Sequence, residues 1–488
     1  MVRRGEIYWV EAGSPNGAHP HVVVQDDLFN DSRIRSVVVC ALTSNVQRAS
    51  EPGNVLLDIG EGELPKQSVV VVSQIESVDR TTLGERIGSL SPARVEQILA
   101  GLRFQQRAFH ARQASPQRAR FDLPDDVAYL NCAYMSPLAH EVVLAGIHGL
   151  ARKTQPWRVQ PHEFFDSSEQ LRRLFAQLVH GDADGVALIP SVSYGMSLAA
   201  KILPFARGQR VLTLAEQFPS NVYPWRALAE RKDGQHEIVA RPHDDDWTSA
   251  LLERIDNDVA IVAIPHCHWT DGGLLDLPAI RAACDRVGAA LCIDATQSLG
   301  ALPLDVQQVR PDVLCAAGYK WLMGPYSLGY MYIAQKWRNA EPLEQNWITR
   351  AGAEDFSRLV LGSYEYAPGA RRFDVGERSN FALVPAAIAA LQMVLEWNPA
   401  HVQAALAQRN EQIAERAREL GFHTVPSDRR AGHYLGLRAQ SAIPATLTQR
   451  LAAAHVFVSV RGAAIRVTPH LYNTDRDIDR LFTALQHP

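Results

Sequence analysis

No apolar run in the 488-residue sequence approaches the roughly 20 residues a helix needs to cross a bilayer. The opening Met1-Val-Arg-Arg-Gly-Glu also lacks the apolar core of a secretory signal. Together these absences point away from membrane-spanning and exported proteins and lead to an expected cytoplasmic location with no membrane partner. Cysteine is scarce: six residues, at 40, 132, 267, 284, 292 and 315, with no Cys-x-x-Cys pair. Most lie inside apolar runs and read as buried thiols of a reducing compartment. Nor does one charge dominate, since 49 Lys and Arg against 53 Asp and Glu leave a formal net charge of −4. Such a balance gives no global pull toward nucleic acid or lipid. What is present is an ordinary globular composition, 47% hydrophobic and 21% charged, on a chain too long for one core. Two or three domains are expected.

The most informative stretch is Ala317-Gly-Tyr-Lys-Trp-Leu-Met-Gly-Pro325. Upstream, Pro311-Asp-Val-Leu-Cys-Ala-Ala317 reads as a buried strand opening into Gly318, so Lys320 falls where a strand ends and the chain turns. Sheets of α/β proteins bind ligands at that place. An arbitrary lysine is a solvated ammonium. This one has Tyr319, Trp321, Leu322 and Met323 around it, and apolar surroundings lower the amine pKa, as a lysine that forms a Schiff base with an aldehyde requires. Ala289-Ala-Leu-Cys-Ile-Asp-Ala-Thr-Gln-Ser-Leu-Gly300 is a second buried strand, ending in Asp294, 26 positions before Lys320. An Asp at a strand end either caps the next helix or, in a pyridoxal phosphate enzyme, pairs with the protonated ring nitrogen. Gln297, three residues on, is placed to reach the ring hydroxyl.

Val186-Ala-Leu-Ile-Pro-Ser-Val-Ser-Tyr-Gly runs from a strand into a helix start, where free backbone N–H groups form an anion site, with a plain serine N-cap as the alternative. Ala260-Ile-Val-Ala-Ile-Pro265 is expected to deliver His266, His268 and Trp269 to the same sheet edge. His-x-His invites a metal, but the sequence offers no third ligand, and a place beside a cofactor is the expectation.

Tyr129-Leu-Asn-Cys-Ala, Asp294-Ala-Thr-Gln-Ser-Leu-Gly, Gly318-Tyr-Lys-Trp-Leu-Met-Gly-Pro and Arg466-Val-Thr-Pro-His-Leu-Tyr-Asn-Thr together resemble the class V aminotransferase family over roughly residues 120–488. That family has the α/β fold-type-I architecture and includes cysteine desulfurases, kynureninases and isopenicillin N epimerases. The resemblance implies pyridoxal 5'-phosphate held on Lys320, with Asp294, Gln297 and Tyr319 around it. Ser193 and Tyr194 fall at phosphate-holding positions, and Phe218 falls where an aromatic ring stacks on the cofactor. Ala133 is the small residue that admits substrate, and Arg466 grips the α-carboxylate of an amino acid in bidentate fashion. Ser379 would contribute its hydroxyl to the partner's phosphate across a homodimer. Desulfurases carry a nucleophilic cysteine on a loop before that arginine. Val458-Ser-Val-Arg-Gly-Ala-Ala-Ile-Arg466 has none, so a desulfurase is not expected.

The first hundred residues differ in texture. Glu6-Ile-Tyr-Trp-Val, His21-Val-Val-Val-Gln, Ser36-Val-Val-Val-Cys-Ala-Leu, Asn54-Val-Leu-Leu-Asp-Ile and Ser68-Val-Val-Val-Val-Ser alternate with turn residues, the pattern of a small barrel or sandwich. A helix begins at Ser91-Pro92 and presents Val95, Ile98, Leu99 and Leu102 to the sheet. Residues 103–120 then carry basic and no acidic side chains and read as a helix tail and linker, with RNA binding the less favoured alternative. Arg4-Gly-Glu-Ile-Tyr-Trp-Val, His21-Val-Val-Val-Gln-Asp-Asp-Leu-Phe-Asn, Val39-Cys-Ala-Leu-Thr-Ser-Asn and Pro52-Gly-Asn-Val are similar to the MazF/PemK toxin family, SH3-like barrels that dimerise and cut single-stranded RNA. That likeness implies a nuclease site at Thr43 and Ser44, with His19 where the family usually has Arg before Pro20. A histidine there serves as base or as charge for the phosphate, or marks a site that only binds.

The expected organisation is therefore a MazF/PemK-like SH3-like β-barrel at 1–104, a basic linker at 105–120, and an α/β fold-type-I pyridoxal phosphate domain at 121–488 with a smaller subdomain from about 400. The expected activity is a transaminase, epimerase or lyase reaction on an α-amino acid, with single-stranded RNA or DNA as a partner of the first domain. The rival reading makes the first domain the functional end, a toxin-type endoribonuclease or nucleic-acid-binding module on a dimeric scaffold. A fusion of two units without a shared purpose is the third.

Overall fold

A computed structural model describes the chain except residues 1, 11–17, 52, 112–116, 363, 440–442, 444 and 487–488; of residues 103–111, 361 and 445 it describes the backbone alone. The chain divides into two compact units, Met1–Ala114 and Ser115–Pro488.

In the first unit, six strands form one sheet: β1 (Glu6–Val10), β2 (His19–Val23), β3 (Ser36–Thr43), β4 (Val55–Leu57), β5 (Ser68–Asp79) and β6 (Leu83–Ser89), in the order β4-β5-β3-β2-β1-β6. All pairings among them are antiparallel. Valine-rich strands suit this arrangement because β-branched side chains pack well on a pleated surface. One face buries Ile7, Val22, Cys40, Leu42, Val70 and Val72 against Ile98 and Leu102 of the helix Pro92–Ala111. Val10, Val23, Val37, Val39 and Val78 make a smaller cluster. The sheet rolls until its ends approach. A Cβ at Gly88 in β6 would lie 2.2 Å from the carbonyl oxygen of Gly62, in the turn that follows β4. Strand pairing itself leaves β4 and β6 as two ends, so a closed barrel is not formed by hydrogen bonds among the described residues.

The basic stretch read as a linker is anchored in the second unit where it is described again. Arg118 is buried, pairs with Asp477 at 3.0 Å and donates to the carbonyls of Pro124 and Val127. Arg120 donates to Glu141 at 2.7 Å. These residues belong to the second fold and are not a solvated tether, while 112–116 lie outside the described residues.

The second unit is built on seven strands: β8 (Val186–Ile189), β9 (Arg210–Leu214), β10 (Gln235–Val239), β11 (Val259–Pro265), β12 (Ala290–Asp294), β13 (Val313–Ala317) and β14 (Gly329–Ile333). A short strand, β7 (Ala128–Tyr129), precedes them. The order is β10-β9-β11-β12-β13-β14-β8, and only β14 runs against its neighbours. Strands β11, β12 and β13 in the middle of the sheet and β8 at its end are buried at every residue, as expected where helices cover both faces of a sheet. Their apolar runs are continuous for the same reason. The fold is α/β, with β8, β9, β11, β12 and β13 pointing their carboxyl ends toward one edge.

A smaller antiparallel sheet, β15 (Leu435–Arg438), β18 (Ala464–Val467) and β17 (Ser459–Arg461), packs with the helices Pro399–Glu419, Ala445–Ala453 and Asp475–Gln486 around its own apolar cluster. The start of the unit joins it too. Strand β7 pairs in parallel with β16 (Val456–Phe457), and Ala128 and Leu130 lie in that cluster. The smaller subdomain thus combines residues after about 400 with the stretch near 128–130, which sequence order alone does not join.

Candidate active site

The carboxyl ends of β8, β9, β11, β12 and β13 surround a cavity of about 270 Å³, whose walls include Ser191, Ser193, Phe218, Trp269, Asp294, Thr296, Gln297, Tyr319 and Lys320. Lys320 is 7% exposed, and its Nζ lies 5.6 Å from the ring centroids of both Phe218 and Tyr319. Its amine makes no hydrogen bond or ion pair among the described residues, while its carbonyl accepts from Met323 N at 3.0 Å. Burial lowers its pKa to about 8, opposed by Asp294 and reinforced by Arg466 and Arg461. Non-glycine residues in left-handed conformation bracket the following loop, Met323 at φ 56° and Ser327 at φ 65°, a strain of about 1–2 kcal/mol each. Gly300, at φ 104°, lets the loop pack on the turn after Asp294, since a Cβ there would meet the Trp321 carbonyl oxygen at 2.3 Å. The lysine is therefore held by its own loop and by the strand end that carries the carboxylate.

Asp294 closes β12 and is 8% exposed. Burial raises its pKa, against the Thr296 N–H that donates to it at 3.0 Å and the nearby Lys320. Thr296 Oγ1 in turn accepts from the amide of Ala317 at 3.3 Å, tying the aspartate turn to the lysine strand. Gln297 lines the cavity, but its amide donates to Ala133 O at 3.1 Å and accepts from Trp321 Nε1 at 3.1 Å. One amide hydrogen is left for a ligand.

At the far wall the helix Val192–Ile202 begins, capped by Ser191, whose hydroxyl accepts from Tyr194 N and hydrogen-bonds Ser193 at 2.9 Å. Ser191, two residues before the serine singled out in the sequence, is thus the cap, and Ser193 points into the cavity. Tyr194 does not line it. Its ring packs in the core beneath the helix and its hydroxyl is buried without a partner.

The histidines are corrected as well. Pro265, Cys267 and Trp269 line the cavity, whereas His266 and His268 do not, as the two-residue alternation of an extended chain requires. His268 stacks on Trp247 at 5.0 Å and hydrogen-bonds Thr270 and Ala215 O. Burial drives the pKa of both histidines down to about 3. Among the described residues no group of three His, Cys, Asp or Glu is placed to hold a metal ion.

Ala133 is buried outside the cavity wall, its carbonyl bound to Gln297 and its N–H to Thr468. Ser379 lies outside the wall as well, and its hydroxyl donates its single proton to Phe164 O within the same chain. A donor for a partner's phosphate would have to leave that carbonyl first. Arg466, 2% exposed, also lies outside the cavity wall, with its guanidinium carbon 5.6 Å from the indole centroid of Trp269, which lines it. It donates to Trp269 O at 3.2 Å and to Tyr434 Oη at 3.3 Å, and its Nε has no partner.

Residues 158–481, about two thirds of the sequence, match the family model for aminotransferase class-V. The chain belongs to the class-V aminotransferase family. This aminotransferase-family chain is 28% identical over 321 residues to the uncharacterized aminotransferase YcbU of Bacillus subtilis, an alignment covering 65% of this chain and 82% of that protein. The solved apo structure of a cysteine desulfurase from Thermococcus onnurineus superposes with a TM-score of 0.66 at 18% identity, over 76% of this chain and 97% of the other. A structure of C-DES with glycine covalently linked to its pyridoxal phosphate cofactor gives 0.68 at 19% identity, over 76% and 99%. These two likenesses establish the fold. The family's cofactor is pyridoxal phosphate, and the cavity fits it: a buried amine and a buried carboxyl without a protein ion pair, an aromatic wall, and a serine-lined helix N-terminus for a phosphate.

The N-terminal unit has its own match. Residues 3–105 fit the PemK-like, MazF-like toxin family of type II toxin-antitoxin systems. Endoribonuclease MazF6 of Mycobacterium tuberculosis is 36% identical over 108 residues, 21% of this chain and 95% of that protein. In this unit His19 opens β2 and is exposed, while Thr43 ends β3 and accepts from Asn45 N at 3.2 Å. Strand register pairs His21 with Ala41; continuing it by two residues sets His19 opposite Thr43. Ser44 follows in an exposed bend. The sequence reading passed over His21, which is buried and bonded on both ring nitrogens, Nδ1 to His19 O at 3.0 Å and Nε2 to Glu76 at 2.8 Å. Its only signal was a second imidazole two residues after His19, on the same face of the strand.

Proposed function

We propose that the C-terminal unit catalyses a transamination, epimerisation or lyase reaction on an α-amino acid at the Lys320 cavity. The observation that carries this reading is the pair of buried cations, Lys320 and Arg466, neither of which has a carboxylate partner among the described residues. Bound pyridoxal phosphate supplies an aldehyde for an amine and a ring that withdraws electrons from the α-carbon. Lys320 would hold the cofactor through that aldehyde, and its free amine would take or return a proton at the substrate's α-carbon. Its pKa of about 8 leaves a useful neutral fraction near neutral pH. Asp294 would supply the negative charge for the ring nitrogen, Phe218 an aromatic face, and Ser193 with the helix start the phosphate contacts; all three residues line the cavity. Arg466 holds the α-carboxylate.

Cysteine desulfuration is not the proposed reaction. All six cysteines are buried, and the one on the cavity wall, Cys267, spends its S–H on Gln297 O while burial raises its pKa. β17 and β18 are joined through Gly462 with no cysteine between them. Mixing the purified chain with single α-amino acids tests the assignment. A change in the cofactor's visible absorption with a subset of them, and no sulfide or persulfide sulfur from cysteine, is the expected result. Cysteine-dependent sulfur release at rates matching the best amino acid overturns it.

The N-terminal unit is proposed to act on single-stranded RNA through His19, Thr43 and Ser44, in an SH3-like barrel whose rolled sheet is supported by the Gly88–Gly62 approach. The β2–β3 register, which pairs His21 with Ala41 and runs on toward His19 and Thr43, supports this second activity. A homodimer in the cytoplasm, with Ser379 turned to the partner's phosphate, completes the reading. Among the described residues no helix is long and apolar enough to cross a membrane.

A further inference from the structure

The buried arginines of the C-terminal unit sit, as a rule, on carboxylates. Arg172 pairs with Asp374 at 2.7 Å, Arg281 with Asp312 at 3.0 Å, Arg430 with Glu411 at 2.7 Å and Arg118 with Asp477 at 3.0 Å. The rule has a physical cause, since an uncompensated charge in a dry interior is costly. Two arginines beside Lys320, one of them buried, have no such carboxylate among the described residues.

Arg466 on β18 is one, spending one nitrogen on neutral oxygens and leaving Nε without a partner. The other is Arg461, at the end of the paired strand β17, where it is partly exposed. Its Nη1 donates to the carbonyl of Val460 at 2.8 Å. No carboxylate lies within ion-pair distance of either guanidinium among the described residues. Both flank one indole: their guanidinium carbons stand 5.8 and 5.6 Å from the centroid of Trp269, which lines the Lys320 cavity. Their charges reinforce one another. Arg461's pKa is lowered by burial and then by Arg466, and both arginines lower the proton affinity of Lys320. Neither arginine lines the cavity itself; both stand against Trp269, which does, so two fixed cations lie just beyond that wall where an ordinary α-amino acid brings one carboxylate.

We propose that the substrate is a dicarboxylic α-amino acid, its α-carboxylate on Arg466 and its side-chain carboxylate on Arg461. Trp269 between them forms the wall against which the connecting carbons lie. This rests on the reading of the Lys320 cavity as the amino-acid site.

The test uses unreactive acids, which lack the amine and report binding without turnover. Calorimetric titration of the full-length, cofactor-loaded protein with succinate and with butyrate compares a diacid with a monoacid of equal carbon count. Succinate is expected to bind about tenfold tighter or more, the difference of one charge-assisted pair. Arg461→Gln lowers succinate affinity to that of butyrate, Arg461→Lys restores part of the gap, and Arg466→Gln weakens both acids. Equal affinity for the two acids, or a preference that survives Arg461→Gln, overturns the proposal while leaving the amino-acid site standing. So does binding of neither acid by protein that shows its cofactor absorption. A protein that takes up no cofactor overturns both.

Discussion

The Lys320 cavity and the His19–Thr43 edge place their polar groups in opposite situations. Around Lys320 the chain buries an amine, a carboxyl and a guanidinium and leaves them short of protein partners. At the other site His19 and Ser44 face water, Thr43 is bonded by its own turn, and the one buried titratable side chain, His21, is bonded on both nitrogens. A buried charge without a partner destabilises the fold, so its presence points to a ligand that supplies the missing charge. An exposed site bears no such cost and reveals less about what it binds. The first site is therefore argued from its own geometry, and the second leans on the match to the toxin family.

The largest test of that contrast is Lys320→Ala, expected to reduce turnover by about 10²–10⁴-fold and to abolish covalent attachment of the cofactor, while RNA cleavage is unchanged. A covalent cofactor in that variant defeats the assignment. Next comes Arg466→Ala, for which loss of a buried partner to a carboxylate lowers kcat/KM by about 2–5 kcal/mol, or roughly 30- to 5,000-fold. The cofactor's absorption should survive; if it disappears instead, Arg466 supports the fold and does not grip substrate. A smaller effect belongs to the exposed site. Thr43→Ala in the full chain should slow metal-free cleavage of single-stranded RNA about tenfold or more and leave amino-acid turnover alone. Cleavage that does not respond would make the edge a binding surface.

Acid should separate the two units with the mildest perturbation. Burial lowers the pKa of His266, His268 and His470 to about 3 and that of His433 to about 4, from 6.5. The unfolded chain therefore holds more protons than the folded one between those values and 6.5. Stability from these groups is complete above pH 6.5 and falls as pH drops below it, by up to about 1.4 kcal/mol per pH unit for each histidine. Thermal melts between pH 7 and 4.5, followed by probes in each unit, should show the cofactor unit losing stability in that window. A melting temperature of that unit flat across it would contradict the burial of these imidazoles as neutral rings.

Much of this organisation was legible in the sequence where one local rule governs. The strand ends at Asp294 and Ala317, with Lys320 beyond, follow from apolar runs stopping at a carboxylate and a glycine. Five of the N-terminal strands follow from β-branched and other apolar runs set between turn residues. The sixth, Leu83–Ser89, escaped because Gly84 and Gly88 break its pattern, and those glycines are required by close contacts with Trp9 and Gly62. Facing was harder to read. Tyr194, His266 and His268 neighbour cavity residues in sequence and point elsewhere, because one step along a helix or extended chain turns the side chain away. Long-range pairs were out of reach altogether. His21 with Glu76, and Arg461 with Arg466 around Trp269, are set by strand pairing and by a loop from another strand. Ser379 was placed by likeness and Gln297 by its spacing from Asp294, and the fold commits the Ser379 hydroxyl to Phe164 and all but one hydrogen-bonding site of the Gln297 amide group to Ala133 and Trp321.

The most direct measurement is a visible absorption spectrum of the freshly purified full-length protein, followed by borohydride reduction and peptide mass spectrometry. The account predicts a band near roughly 420 nm that reduction abolishes, leaving the cofactor's mass on the peptide containing Lys320. A protein that takes up added pyridoxal phosphate without such a band, or that carries the reduced adduct on another lysine, would contradict it.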